Sequence, residues 1–438
     1  MILVLAGLVL VAFAAVLPRL GDLGSKAPLL LYLWAIAHAA YLLAAYRALR
    51  APMSARALRW ILGVALLARL LLIPAAPTLS EDAYRYLWDG SLTRDGINPF
   101  VHAPSDPALV ERRNELFGRL NHADVPTIYP PAAQLFFAAV ASVRATPAAL
   151  KAAYLPIEIA AWIALLALLR RRGLAPERIL LFAWNPLVLV ESYGSGHVDL
   201  LAAAALVLAI ALLEAGRRVP AGVAWAIASL VKYTPLLLGP MLARKRAWAV
   251  LMPAGLTMAL LTLPFLRAGR ALFHGLGAYG AHWEFNGPLF PLFRAALGSG
   301  YAARLLLAAL LVLAVAAISA RARTVSGAAL ACLTAYLVAS PTLFPWYLVP
   351  LAALLPLHPD AGLLAATGLV ALSYLPLPHF RATGEWTLPS WIPWIEYGVW
   401  ALVAAAAWLR TRATASAAAG PAGSQERREA WATESPPT

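Results

Sequence analysis

The chain has 438 residues, of which 62% are hydrophobic and only 13% charged, with a formal net charge of +14. Soluble domains carry about 25% charged residues and are about half apolar, so this composition excludes an ordinary soluble domain. Apolar runs of about 20 residues recur along the chain, and the expected fold class is an all-α polytopic transmembrane helical bundle of about 12–14 membrane helices. A charge of +14 would suit nucleic acid, but the basic residues cluster in short loops between apolar runs, as the positive-inside rule requires. These clusters are Arg47/Arg50/Arg56/Arg59, Arg170–Arg172, Arg217/Arg218, Arg244/Lys245/Arg246, Arg321/Arg323 and Arg410/Arg412. The single cysteine, Cys332, lies in an apolar run, so no internal disulfide or cysteine metal site is expected.

In chain order, residues 2–17 and 28–46 read as two spans; without a basic leader, the first is expected to be a retained helix rather than a cleaved signal. The four-arginine loop is assigned to the cytoplasm, so the span 58–77 must end outside. Residues 78–150 then form a long extracytoplasmic loop, and loops of this length usually have a role of their own. Within it, 132–143 is apolar but too short to span and ends on Arg144, which reads as an interfacial helix. The run 152–169 returns to Arg170–Arg172, 179–193 goes out, and 200–213 returns to Arg217. Residues 219–243 have basic flanks at both ends and a Lys-Tyr-Thr-Pro break at 232–235, which reads as two half-helices entering and leaving on the cytoplasmic side. The remaining runs are 247–266, 303–320, 327–340, 348–357, 362–375 and 392–409, with a second outer loop at 267–300. One domain is therefore expected over 1–413, including two extra N-terminal spans in 1–57. Residues 414–438, rich in small and charged residues, are expected to be a disordered cytoplasmic tail.

With this topology the polar clusters fall mostly on the outer side. The most telling is Ser80-Glu81-Asp82-Ala83-Tyr84-Arg85-Tyr86-Leu87-Trp88-Asp89, directly after a span. On a helix capped by Ser80, Asp82, Arg85, Tyr86 and Asp89 share one face, and Glu81 can pair with Arg85 one turn on. Glycines 90 and 96 with Asn98-Pro99 are expected to end that helix. The turn Gly194-Ser195-Gly196-His197-Val198-Asp199 and the loop His282-Trp283-Glu284-Phe285-Asn286 add further polar groups, and Lys232 is an intramembrane lysine, which marks a functional position. Trp346, Tyr347, Trp386, Trp391 and Trp394 read as an aromatic belt at the interface. Asp82, His197, Asp199 and Glu284 could supply ligands to a divalent metal, but no local spacing marks one, and no cofactor is expected.

The stretch 80–90 with Gly96-Ile97-Asn98-Pro99 resembles the first-loop motif of bacterial GT-C glycosyltransferases, and most nearly the polyprenyl-phosphate-mannose-dependent mannosyltransferases of the inner membrane. Tyr129-Pro130-Pro131, Trp184-Asn185-Pro186, Gly194-Ser195-Gly196-His197 with Asp199, Lys232 with Pro235, and Trp283 with Phe285-Asn286 follow in order. Val198 stands where the family often has Asn. The resemblance implies an inverting transfer of a hexose, mannose in such a family, from a polyprenyl-phosphate-sugar donor to a lipid- or glycan-linked acceptor on the extracytoplasmic face. It implies Asp82 as the catalytic carboxylate, with Glu81 its neighbour. A carboxylate suits the task, since the acceptor hydroxyl must lose a proton as it attacks. Arg85, His197 and Lys232 could meet the leaving phosphate, and Tyr86, Asp89, Asp199, Trp283 and Asn286 are further substrate-binding candidates. Membrane lipids surround such a protein, and nucleic acid is not an expected partner. Two rival classes are a transporter or flippase for lipid-linked sugars, which would need more ionisable groups along the spans than Lys232 and Glu158, and a non-catalytic subunit that binds a lipid-linked glycan.

Overall fold

The computed structural model describes residues 1–418, and over them the chain is an all-α polytopic bundle. Its principal helices are α1 (Ile2–Val16), α2 (Ala27–Arg50), α3 (Ala55–Leu72), α4 (Asp82–Arg94), α5 (Pro131–Arg144), α6 (Pro147–Arg171), α7 (Asp199–Glu214) and α8 (Arg218–Val231). They continue with α9 (Trp248–Thr262), α10 (His274–His282), α11 (Phe290–Leu297), α12 (Gly300–Arg321), α13 (Val325–Ala339), α14 (Ala361–Leu369) and α15 (Trp391–Ala418). Among the described residues, six helical stretches are long and apolar enough to cross a membrane, fewer than the 12–14 membrane helices expected. The other apolar segments are shorter or broken. The tail expected from residue 414 onward begins as the end of α15, and 419–438 lie outside the described residues.

The centre of the bundle is a broken segment where a continuous span was expected. Asn185 precedes a proline, which disfavours the α conformation, and it adopts an extended backbone (φ −64°, ψ 119°). Its side chain then caps the next turn by accepting from Leu187 N at 3.0 Å. Trp184 Nε1 donates to Ile61 O (2.8 Å) and the Tyr41 hydroxyl to Leu181 O (2.8 Å), so α3 and α2 close over the break. A wide π turn, Leu189–Gly194, completes the segment, and Gly196 at φ +82° turns the chain into α7. That positive φ suits glycine.

The basic clusters gather at one end. Arg172 pairs with Glu214, Arg244 Nε donates to Ser319 O (2.7 Å), and Lys245 Nζ to Arg323 O (3.2 Å). From that end α8 rises about 20 Å at 1.5 Å per residue. It stops at Val231, where Lys232 turns extended (φ −143°, ψ 138°) and the chain descends to Arg244. The expected break is therefore present, and Lys232 sits at the tip of two arms, at the end opposite the basic loops.

Three other expectations change. α4 does not end at Gly90 but runs to Arg94, because Gly90 lies where α4 crosses the backbone of α5; a Cβ there would run into the Phe137 carbonyl. α5 is not a helix resting freely in an interface. It packs on α4, with Phe137 fully buried and stacked on Tyr86 (centroids 4.6 Å, 5° between planes). Much of the expected loop 267–300 is helical, comprising a 3₁₀ segment Leu263–Phe273 that bends at Gly269, then α10 and α11.

Candidate functional site

Asp82 is the first residue of α4, and Ser80 Oγ accepts its backbone N–H at 3.2 Å. Its Oδ2 accepts from the Tyr129 hydroxyl at 3.0 Å and the Tyr86 hydroxyl at 3.4 Å, and lies 3.6 Å from His197 Nδ1. The three contacts all fall on Oδ2, and the side chain keeps 19% of its exposure, so the carboxylate is backed by protein on one side and open on the other. Burial pushes the Asp82 carboxyl up, but His197, the Tyr129 hydroxyl and the Lys232 charge together hold it below the usual carboxylate range.

Behind Asp82 the His197 ring is fully buried and stacked on Trp346 at 3.7 Å. Its Nε2 lies 3.5 Å from Glu191 Oε2, while Glu191 Oε1 accepts from the Tyr374 hydroxyl at 2.8 Å. Two carboxyl groups thus flank one imidazole. Beside this line Lys232 Nζ sits 3.2 Å from Asp199 Oδ2 and over the rings of Tyr347 (5.1 Å) and Tyr129 (5.7 Å).

A cavity of about 990 Å³ opens in front of Asp82. Glu81, Asp82, Arg85, Lys232 and Trp283 line it, together with Arg119, Tyr347, Trp346 and Trp386. His197, Asp199, Tyr86 and Asp89 do not line it themselves; His197 and Tyr86 touch Asp82, Asp199 touches Lys232 and Asp89 touches Arg85. Arg85 does not pair with Glu81 as expected. Its Nε donates to Asp89 (2.8 Å), and its Nη groups donate to the carbonyls of Val125 (2.8 Å) and His122 (3.4 Å), which ties the loop after α4 back onto that helix. Asp89 is 1% exposed; burial pushes its carboxyl up, with Arg85 pulling the other way. Glu81 is exposed, with Asn121 Nδ2 at 3.5 Å. Asn286 lies apart from the cavity lining: its Nδ2 donates to Glu396 Oε2 at 2.6 Å.

Glu284 pairs with Arg294 (2.5 Å) and Arg304 (3.0 Å), and among the described residues no group of three or more His, Cys, Asp or Glu side chains is arranged to hold a metal ion.

Several cavity residues were not legible as such. Trp346 and Tyr347 are not part of an interfacial belt: they wall the site, stacking on His197 and facing Lys232. Trp386 lines the cavity, whereas Trp391 and Trp394 are exposed as a belt requires. Tyr129 had a signal, the Tyr-Pro-Pro motif, but no assigned role. Glu191 carried a weaker one, a lone acid within an apolar run, and intramembrane acids are functional candidates by default.

Fold and site together define a polytopic helical membrane protein whose large cavity ends on a carboxylate backed by an imidazole and flanked by a lysine. The chain belongs to the alpha-(1→6)-mannopyranosyltransferase family, whose N-terminal domain matches residues 2–249. It is a membrane mannosyltransferase. The match begins at residue 2, so both N-terminal spans lie inside the matched domain, as do Asp82, Tyr129, His197, Asp199 and Lys232. No curated protein and no solved structure matches the chain.

Proposed function

We propose that this mannosyltransferase takes mannose from a polyprenyl-phosphate carrier and transfers it, with inversion, to a lipid- or glycan-linked acceptor at the extracytoplasmic face of a bacterial inner membrane, in the manner of GT-C enzymes. The observation that carries the reading is Asp82, a carboxylate open to a large cavity on one side and fixed from behind by Tyr129, Tyr86 and His197 on the other. Asp82 acts as general base: its open oxygen takes the proton of the acceptor hydroxyl as the acceptor oxygen attacks the anomeric carbon. The bond to the carrier phosphate breaks on the opposite face of the sugar, which inverts the centre. Lys232 is the cation assigned to meet the charge growing on the leaving phosphate, since it lines the cavity and its charge acts on Asp82. Arg119, also in the lining, is a second candidate. Apolar surface between helices would seat the polyprenyl chain.

The test is transfer by the purified full chain from polyprenyl-phosphate mannose to membrane acceptors, read by mass spectrometry, beside an equal assay with a soluble mannose nucleotide. Product from the lipid donor alone is expected; efficient transfer from the nucleotide without a lipid carrier overturns the donor reading. The face is tested separately, with a cysteine placed at the exposed Ser105. It should react with a membrane-impermeant reagent in intact spheroplasts, and protection until lysis would put the site on the other side.

A further inference from the structure

Glu191 lies nearly one hundred residues beyond the first-loop motif, is fully buried, and does not line the cavity. Its backbone carbonyl accepts from His197 N at 2.8 Å, across the π turn, which places its side chain beneath the imidazole. One carboxyl oxygen is used by the Tyr374 hydroxyl. The other, Oε2, has no hydrogen-bond partner in the chain, and neither nitrogen of His197 has one. The gaps on either side of the ring, 3.5 and 3.6 Å, exceed a good hydrogen bond by a few tenths of an ångström, so small movements of the Glu191 and Asp82 side chains towards the ring close them. A carboxyl group this deeply buried with no lysine or arginine paired to it is costly to hold as an anion.

We propose that Glu191 is a positioning residue for transfer: as its neutral acid it donates Oε2–H to His197 Nε2, and so fixes the tautomer whose Nδ1–H faces Asp82. The consequence lies at Asp82. An Nδ1–H donor joins Tyr129 and Tyr86 on Oδ2, which keeps the carboxylate ionised and turns its other oxygen to the cavity. The opposite tautomer would set a lone pair against Oδ2 and repel it. Trp346, stacked on the ring, holds its plane, so Glu191 decides only which nitrogen carries the proton. This inference rests on the reading of Asp82 as the base.

The two substitutions Glu191→Gln and Glu191→Met separate a neutral donor from other roles. Gln keeps an N–H donor for Nε2; Met fills similar space without one. Expected are near-wild-type transfer from polyprenyl-phosphate mannose in Glu191→Gln, and a kcat about tenfold lower in Glu191→Met at unchanged donor KM. ¹⁵N-histidine NMR of the full chain, with the His197 signals assigned by their loss in His197→Gln, should show a neutral ring protonated at Nδ1 in wild type and a tautomer mixture in Glu191→Met. A doubly protonated His197 in wild type, equal damage from Gln and Met, or wild-type kcat in Glu191→Met each overturns the proposal. Asp82→Asn is measured alongside. If it transfers at the wild-type rate, the base reading fails, while the NMR result still decides whether Glu191 sets the His197 tautomer.

Discussion

Two of the buried charged clusters among the described residues are built in opposite ways. In the first, Arg69 and Glu158 are fully buried and paired through two hydrogen bonds of 2.7 and 2.5 Å. Arg69 Nη1 donates to the carbonyls of Ala65 (3.0 Å) and Ala183 (2.9 Å), and Glu158 also accepts from Tyr193 (2.7 Å) and Trp162 (3.3 Å). In the second, around Asp82, the buried polar atoms Glu191 Oε2, Ser192 Oγ, Ser195 Oγ and both His197 nitrogens have no partner in the chain. A buried charge is tolerable when every donor and acceptor is met, as in the first cluster. Leaving such groups unmet costs stability, and sites that do so are candidates for chemistry. The first cluster is a bolt between α3, α6 and the broken segment. The second reaches a cavity at Asp82 and keeps buried donors and acceptors unmet behind it.

The largest expected effects test this contrast directly. Arg69→Met leaves Glu158 buried and unpaired, and should cost about 3–5 kcal/mol, read as an early thermal or protease-resistance transition. The double substitution Arg69→Met, Glu158→Leu should recover most of that loss, since no charge is then stranded. Asp82→Asn should behave in the opposite sense: the same melting behaviour, but transfer lower by roughly a hundredfold or more. The contrast breaks if Asp82→Asn melts early or if Arg69→Met melts like wild type.

The next effect is smaller and concerns pH. The folded Asp82 carboxyl is held below its ordinary value of about 3.9, so the ionised form is fully present at neutral pH and is lost only as pH falls through that lowered value. Transfer by wild type should therefore be level between about pH 7 and 5, and any stability that depends on this group should hold over the same window. Lys232→Met removes one of the influences that lower it. The acidic limb of the transfer profile should then move to higher pH, and donor KM should rise about tenfold with the loss of the phosphate contact. An unmoved limb with an unchanged KM would separate Lys232 from both tasks.

The sequence carries the class of fold and the outline of the site, for definable reasons. The long spans follow from apolar run length, though the same rule reads the broken segment at 180–194 as a continuous span, and the break at Lys232 follows from Pro235 with basic flanks on both sides. Asp82 is singled out by the resemblance of residues 80–90 to a family motif, and its place at the start of a helix is where the structure puts it. What escaped depends on contacts between distant residues. Arg85 has an acid four residues away in each direction, and only the packed loop at 122–125 decides that it takes Asp89. Arg69 and Glu158 are 89 positions apart, so a charge within an apolar run gave no hint of its partner. Trp346 has the composition of a belt residue, and its stacking on His197 joins segments about 150 positions apart.

The smallest effect is expected at Glu81, and it refines the contrast at the scale of two adjacent carboxylates. Glu81 and Asp82 are about 100° apart around a helix, so one cannot stand in for the other at a single reacting atom. Asp82 points inward to Tyr129, Tyr86 and His197, whereas Glu81 is exposed and has only Asn121 Nδ2 at the edge of hydrogen-bond range, 3.5 Å away. Its i+4 neighbour Arg85 is committed to Asp89, so Glu81 does not serve as a structural ion pair either. An exposed carboxylate with one weak contact contributes little to stability, and Glu81→Gln should leave the melting transition unchanged. Glu81 does line the cavity mouth, so the same substitution should lower transfer by no more than about threefold, and through acceptor KM rather than kcat. Rates for Glu81→Gln and Asp82→Asn at saturating donor decide the matter: an inactive Glu81→Gln beside an active Asp82→Asn would exchange the roles of the two acids.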